Sequence, residues 1–289
     1  MRWDQAKAVM IAVFVLLDAF LGLRLYARQA TAVAPVPAAS LIALGNVNVA
    51  ASDVRVEGVL PTAPPSLPTL TIALQHPDAA AIALHLLGSD FQVESQGSIM
   101  TYAGRKGTVQ YANGALLFQR APGQGAAAAG ALPSVGRAQF LADNFVRAMA
   151  LAPANLVFDR IAYSQSESAW DVAYYQRYQG QPVFNGRCHV MVDGRGVLSA
   201  SCLWASVAGP GQSPRPILSP AEALQRLADA QGATAAAPLL VDGVVLGYVA
   251  STYPANAAWP TVPVWRVELA DGSLYYVNAY TGTLVPGPA

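Results

Sequence analysis

The sequence predicts an α+β fold: an N-terminal transmembrane helix followed by two lobes of antiparallel sheet with packed helices. Three observations predict it. A single apolar run of 18 residues, Ala8–Leu25, stands at the N-terminus. Short alternating strands are separated by Gly and Asn-Gly turns, and capping residues precede apolar runs with three- and four-residue steps. At 289 residues and 54% apolar composition, the chain can bury a core in one large domain or two ordinary ones.

Ala8–Leu25 would rise roughly 27 Å as a helix, close to the hydrocarbon thickness of a bilayer. Arg2 and Lys7 precede it, and Arg24 and Arg28 follow. A cleaved signal peptide is the rival reading, because small residues follow at Ala30, Ala32 and Ala34. The length of the run and Arg24 inside it favour an anchor. The expected topology is a single-pass protein of the cell membrane, with the N-terminus cytoplasmic and the bulk extracytoplasmic, so the lipid bilayer is itself a partner.

Asp18 falls near the middle of this span, where an acidic residue costs roughly 2.5–3.5 kcal/mol on insertion scales. Helical spacing gathers Ala8, Ala12, Val15, Ala19 and Gly22 into a stripe of mostly small residues, and Asp18 borders it. Two readings stand: a transmembrane partner interface, or a simple anchor whose Asp is protonated or reaches toward the surface.

The chain divides into a tail and anchor (1–28), a Pro-containing linker (29–40), a first α+β lobe (41–120), a second linker (121–133) and a second lobe (134–289). In the first lobe, residues 47–60 and 67–74 read as strands, 77–87 as a helix ended by Gly88, and the segments within 91–120 as a meander with a turn at Asn113-Gly114. The second lobe has two similar halves, about 134–208 and 219–289. Ser134 caps the first helix; Ser219, Pro220 and Glu222 form a capping box over 221–230. Strands are expected at 156–164, 170–179, 183–192 and 196–207, then at 244–251, 262–269, 273–280 and 282–285.

Lys+Arg and Asp+Glu are each 17, so net charge is zero, and no basic stripe offers itself to phosphates. Nucleic acid is not an expected partner. No nucleophile elbow, HExxH helix, Walker loop or dinucleotide-binding GxGxxG is present. His76, His85 and His189 lie on separate elements, and Asp78, Asp90, Glu94, Asp171 and Glu268 are isolated from one another. No catalytic, cofactor-binding or metal-ligating residue is therefore assigned, and an enzyme is not expected. The aromatic groups Trp170, Tyr174, Tyr175, Tyr178 and Trp265, Tyr275, Tyr276, Tyr280 divide by alternation between core and exposed faces. Cys188 and Cys202 flank the turn at Asp193–Gly196. A three-residue loop sets them opposite each other for a disulfide, whereas a two-residue loop puts them on opposite faces.

Trp3, Ala6, Lys7, Ile11, Phe14, Leu16, Leu17, Phe20 and Leu21 at the N-terminus resemble the opening of the YycI family. Tyr178, Gln179, Gly180, Pro182, Val183 and Phe184 look like its Tyr-x-Gly-x-Pro-Val-Phe strand entry. Trp265-Arg266, Tyr276, Val277, Asn278, Ala279, Thr281 and Gly282 look like its closing hairpin, which is also similar to PepSY-type modules. The resemblance implies a membrane-anchored extracytoplasmic regulator acting with a YycH-like protein on a membrane sensor histidine kinase. That kinase would belong to a WalK/WalR two-component system controlling cell-wall metabolism. It carries over no catalytic residue. A PepSY-like binding or protease-inhibiting module is the alternative that the hairpin implies.

Overall fold

Capping chemistry sets the helices. A computed structural model describes residues 54–56, 60–124, 131–149, 156–234, 236–250 and 258–288. In it, α1 (Ala79–Leu87) begins after Asp78, whose carboxylate accepts the Ala81 N–H at 3.0 Å, and ends at Gly88 with φ +87°. Pro77 thus precedes the helix instead of opening it. Ser134 caps α2 (Val135–Ala148). Ser219 and Glu222 form the expected box over α3 (Pro220–Gln231), and Gly232 closes it in the left-handed conformation. Among the described residues, no helix is long and apolar enough to cross a membrane. The segment Ala8–Leu25, the linker 29–40 and residues 47–53 and 57–59 of the expected strand 47–60 lie outside the described residues.

The strands are β1 (Val54–Val56), β2 (Ser66–Leu67), β3 (Leu70–Leu74), β4 (Phe91–Gln96), β5 (Ile99–Gly104), β6 (Gly107–Ala112), β7 (Ala115–Arg120), β8 (Leu156–Ser164) and β9 (Ala169–Tyr178). They continue as β10 (Gln181–Asp193), β11 (Gly196–Leu203), β12 (Ala205–Pro210), β13 (Arg215–Pro216), β14 (Leu239–Val249), β15 (Trp259–Leu269), β16 (Leu274–Asn278) and β17 (Leu284–Val285). The fold is mixed α+β and mostly sheet. One order recurs three times: a helix, then four antiparallel strands. α1 precedes β4–β7, α2 precedes β8–β11, and α3 precedes β14–β17.

The first two units share a sheet, since β7 pairs antiparallel with β11. They also share a core. Ile82 and Leu87 of α1 and Ala138 and Ala142 of α2 join Val109, Leu116, Val172, Val190 and Trp204 in one cluster. α3 packs a second cluster with Leu224, Leu227, Val241, Trp265 and Val277. A third, with Leu70, Ile72, Val183, Leu203, Tyr248 and Trp259, lies where β3, β10, β11, β14 and β15 come together. The expected strand 196–207 is broken at fully buried Trp204, because β11 pairs with β7 and β10 while β12 turns away to pair with β3.

The units meet at β10. Its first part pairs with β14 in parallel through Val183 and Tyr248, and its last part pairs with β11. Against β9 the register jumps from Val183–Gln176 to Arg187–Tyr175, so β10 carries three extra residues, Phe184–Gly186. A bulge of this size strips backbone groups of their ladder partners. Two buried amides at the bulge satisfy backbone groups of neighbouring segments. Asn185 Nδ2 donates to the Ala250 carbonyl at 2.8 Å, and its Oδ1 accepts the Ala250 N–H at 2.7 Å. Gln176 Oε1 accepts the Ala205 N–H at 2.7 Å while its Nε2 donates to the Ala205 carbonyl at 3.1 Å. Gly186 lacks a Cβ for a reason, since one would overlap the Gln176 amide.

The turn after β10 settles the cysteine register by a route intermediate between the two expected ones. Asp193 pairs with Gly196 across a two-residue loop, and a bulge then leaves Leu198 unpaired. That bulge restores the register a three-residue loop would have given, and Cys188 faces Cys202. Both are buried, and a disulfide joins them. Arg120 at the end of β7 braces the same turn, donating Nη1 to Asp193 Oδ1 at 3.0 Å and to the Val197 carbonyl at 3.1 Å.

Asn185→Ala would strand both Ala250 backbone groups and is expected to destabilise the protein by about 3 kcal/mol, read as a lower urea midpoint with an unchanged slope. Burial pushes the Asp193 carboxyl up, but the Arg120 hydrogen bond, the Arg195 N–H and the nearby charges outweigh it and hold the group below the usual range. A carboxyl lowered on folding stabilises above its unfolded pKa of about 3.9 and loses that contribution as pH falls through the folded value. Asp193→Asn should therefore cost about 2 kcal/mol at pH 7, and the gap to wild type should close in urea titrations below about pH 4.

Candidate functional site

The bulge in β10 and a second one in β8 together shape a cavity. Between Phe158–Tyr174 and Arg160–Ala173, β8 carries the extra residue Asp159. Strict alternation would send Asp159 and Arg160 to opposite faces, and the bulge lets both line the same space. The cavity holds about 260 Å³ and is walled by Asp159, Arg160, Tyr175, Arg187, His189 and Arg266, with Phe184 and Tyr276 among the others.

Arg266 is its most buried charge, at 6% exposure. It donates Nη1 to Asp159 Oδ2 and Nη2 to Asp159 Oδ1, each at 2.6 Å, a fork-to-fork pair. Its guanidinium lies 4.8 Å from the Phe184 ring centre and 5.8 Å from that of Tyr175. Burial alone would lower its pKa, but the Asp159 bonds and charge more than offset this and keep it cationic. Phe184 packs edge-on to both Tyr175 and Tyr276, with ring centres 5.9 and 5.5 Å apart. Burial raises the Tyr276 pKa, with Arg266 opposing. Tyr174 is likewise raised, by burial first and then by its 2.6 Å hydrogen bond to Asp143. Both phenols stay protonated at neutral pH.

On the outer wall, His189 Nδ1 sits 3.1 Å from both oxygens of Asp171, which the isolated positions of these residues in the sequence did not foretell. Arg160 Nη1 approaches Glu268 at 3.8 Å. The residues named as lining the cavity include no Ser, Thr, Cys or Lys. Guanidinium groups, the Asp159 carboxylate, the His189 imidazole, phenolic hydroxyls and aromatic faces are the chemistry on offer. Among the described residues, no group of three or more His, Cys, Asp and Glu could hold a metal ion.

The residues that carry the family resemblance separate into two roles. Phe184 and Tyr276 meet in the cavity. Pro182 is buried in β10, and the Phe184 ring and Pro182 carbonyl close over Gly247, where a Cβ would lie 2.6 and 2.8 Å from them. Trp265 is fully buried and donates Nε1 to the Leu218 carbonyl at 3.0 Å. Asn278 shapes the closing turn, its Oδ1 accepting the Tyr280 N–H at 2.9 Å, and Gly282 (φ +75°) donates its N–H to the Asn278 carbonyl. Trp3, Lys7, Phe14 and the helix face of Ala8, Ala12, Val15, Asp18, Ala19 and Gly22 lie outside the described residues.

Sequence reasoning did not single out Asp159, Arg160, Arg187 or Arg266 as a group. A signal was present in Arg266, an arginine inside the apolar strand VPVWRVEL, which demands a buried partner. Nothing local pointed to Asp159 as that partner, 107 residues away.

Comparison with known proteins bears on these features. The profile of the family described as YycI protein matches residues 46–280. No curated protein matches significantly in sequence. Among solved structures, the crystal structure of an uncharacterized protein from Eubacterium rectale superposes with a TM-score of 0.53 at 12% identity, covering 81% of this chain and 89% of that one. At that identity the likeness is one of fold. The family match spans the three helices, the cavity lining apart from Gly287 and Pro288, and most of the closing hairpin, and the chain belongs to the YycI family.

Proposed function

We propose that this protein is a membrane-anchored extracytoplasmic regulator of a WalK-like sensor histidine kinase, working beside a YycH-like protein by contact and without chemistry of its own. The family match over residues 46–280 carries this reading. The resemblance at Trp3, Lys7 and Phe14 extends it to the N-terminus, where the 18-residue apolar run is long enough to serve as anchor. The buried Cys188–Cys202 bridge supports an oxidising, extracytoplasmic setting for the body. A regulator of this kind biases a two-state kinase by binding one state better than the other. A tenfold shift needs only about 1.4 kcal/mol of differential affinity, which the small-residue face of the anchor, bordered by Asp18, can contribute through close helix contact.

A PepSY-like binding module is the second reading, favoured by the recurrence of a helix and four antiparallel strands in both halves of residues 134–289. One deletion separates the two. Removing residues 1–29 while retaining secretion should abolish the effect on kinase-dependent reporter output if the anchor is part of the mechanism; undiminished regulation by the freed body would favour the second reading. Asp18→Leu is expected to leave membrane insertion intact and to weaken co-purification with the kinase or the YycH-like partner, measured by quantitative pull-down from membranes. Intact-mass analysis under non-reducing conditions should find no free thiol in protein taken from the membrane fraction, and two free thiols would contradict the compartment assigned.

A further inference from the structure

One wall of the cavity belongs to no helix or sheet. Gly287 and Pro288, past the end of β17, line it together with Phe184, Tyr276, Arg266 and Asp159. The sequence dictates where pairing stops. Pro286 and Pro288 have no N–H to offer a neighbouring strand, and the ladder between β16 and β17 ends at the Tyr276–Val285 pair. Among the described residues, no hydrogen bond ties Pro286, Gly287 or Pro288 to the rest of the protein. Packing seats Gly287. A Cβ there would lie 3.0 Å from Tyr276 Cε2 and 3.4 Å from Cδ2, inside ordinary carbon contact, so the bare glycine backbone lies against the ring. Phe184 meets the same ring edge-on at 5.5 Å, and Tyr276 is left 7% exposed.

The segment is also stiff. Each proline fixes its own φ, and Val285 and Gly287, each preceding a proline, are biased to extended backbone. A pre-extended segment loses little entropy on seating, so contact along one side holds it and little is broken when it lifts. We infer that Pro286–Pro288 is a movable strap: resting on Tyr276 it narrows the cavity, and lifting away it opens the cavity to solvent and small solutes. The other lining residues lie on β8, β9, β10, β15 and β16, where ladder hydrogen bonds hold them. Arg266 is held further by its two 2.6 Å bonds to Asp159. Motion is therefore confined to the wall that lacks such ties. The inference concerns access to the cavity and is independent of the regulatory reading.

Hydroxyl-radical footprinting of the full-length chain in detergent tests it, with oxidation at each tyrosine read by tandem mass spectrometry. Two variants lift the strap: deletion of residues 286–289, and Gly287→Val, whose side chain does not fit against the ring. Oxidation of Tyr276 should rise several-fold in both, while Tyr102, buried in the core that α1 shares, keeps its wild-type rate. In the unaltered protein, NMR relaxation at the Gly287 amide, the sole N–H of the strap, should show motion between nanoseconds and milliseconds that the β16 amides lack. Unchanged Tyr276 oxidation in either variant would overturn the inference. So would an equal rise at Tyr102, which would make the tail a support of the whole fold. A Gly287 amide as rigid as those of β16 would make it a fixed wall and would overturn the inference as well.

Discussion

Asn185 and Gln176 each clasp one residue of a neighbouring segment through both its N–H and its carbonyl, and the described structure turns on those four hydrogen bonds. β10 is the one strand that pairs with β9, β11 and β14. Against β9 it changes register within its length, and a backbone group left unpaired in a dry interior costs about 1–3 kcal/mol. A side-chain amide offers one donor and one acceptor in nearly the geometry of a peptide unit. One stands inside the bulge and the other faces it from β9, and each satisfies the N–H and the carbonyl of one residue on a neighbouring segment. The second also explains why Gly186 must be glycine, since the Gln176 amide fills the space a Cβ would need.

The same branch makes the cavity. Because β10 bulges at Phe184–Gly186 and β8 at Asp159, side chains that alternation would scatter are gathered on one face. A buried arginine such as Arg266 is tolerable only with a carboxylate in bidentate reach, and the β8 bulge delivers Asp159 to it. The aromatic stack of Tyr175, Phe184 and Tyr276 then fixes the floor beneath the remaining cations. Sheet branching, charge burial and cavity shape are thus consequences of the same register changes.

Most elements were legible because their signals are local. Asp78, Ser134 and the Ser219–Glu222 box mark helix starts, and Asn113-Gly114, both with positive φ, forms the turn between β6 and β7. What escaped the sequence is non-local. The parallel pairing of β1 with β14 and the meeting of β3 with both β12 and β15 join residues far apart in the chain. The break at Trp204 follows from competition between β3 and β7 for successive stretches of one strand, which no periodicity records. The helix-plus-meander order was readable in both lobes, from Gly88 and the Asn113-Gly114 turn in the first and from the capping residues in the second, whereas the pairing of β7 with β11 that joins the first two units was not. For the site, the residues resembling the YycI family led to Phe184 and Tyr276, whereas Asp159 and Arg160 depended on a bulge that sequence alternation hides.

Native-state hydrogen exchange tests the central role of the amide clasps most directly. If Asn185 and Gln176 hold the sheet branch together, the Ala250 and Ala205 amides should exchange only through global opening, as slowly as the strand-centre amides of β10. Exchange of those two amides through a low-energy local opening, while β10 stays protected, would contradict the account.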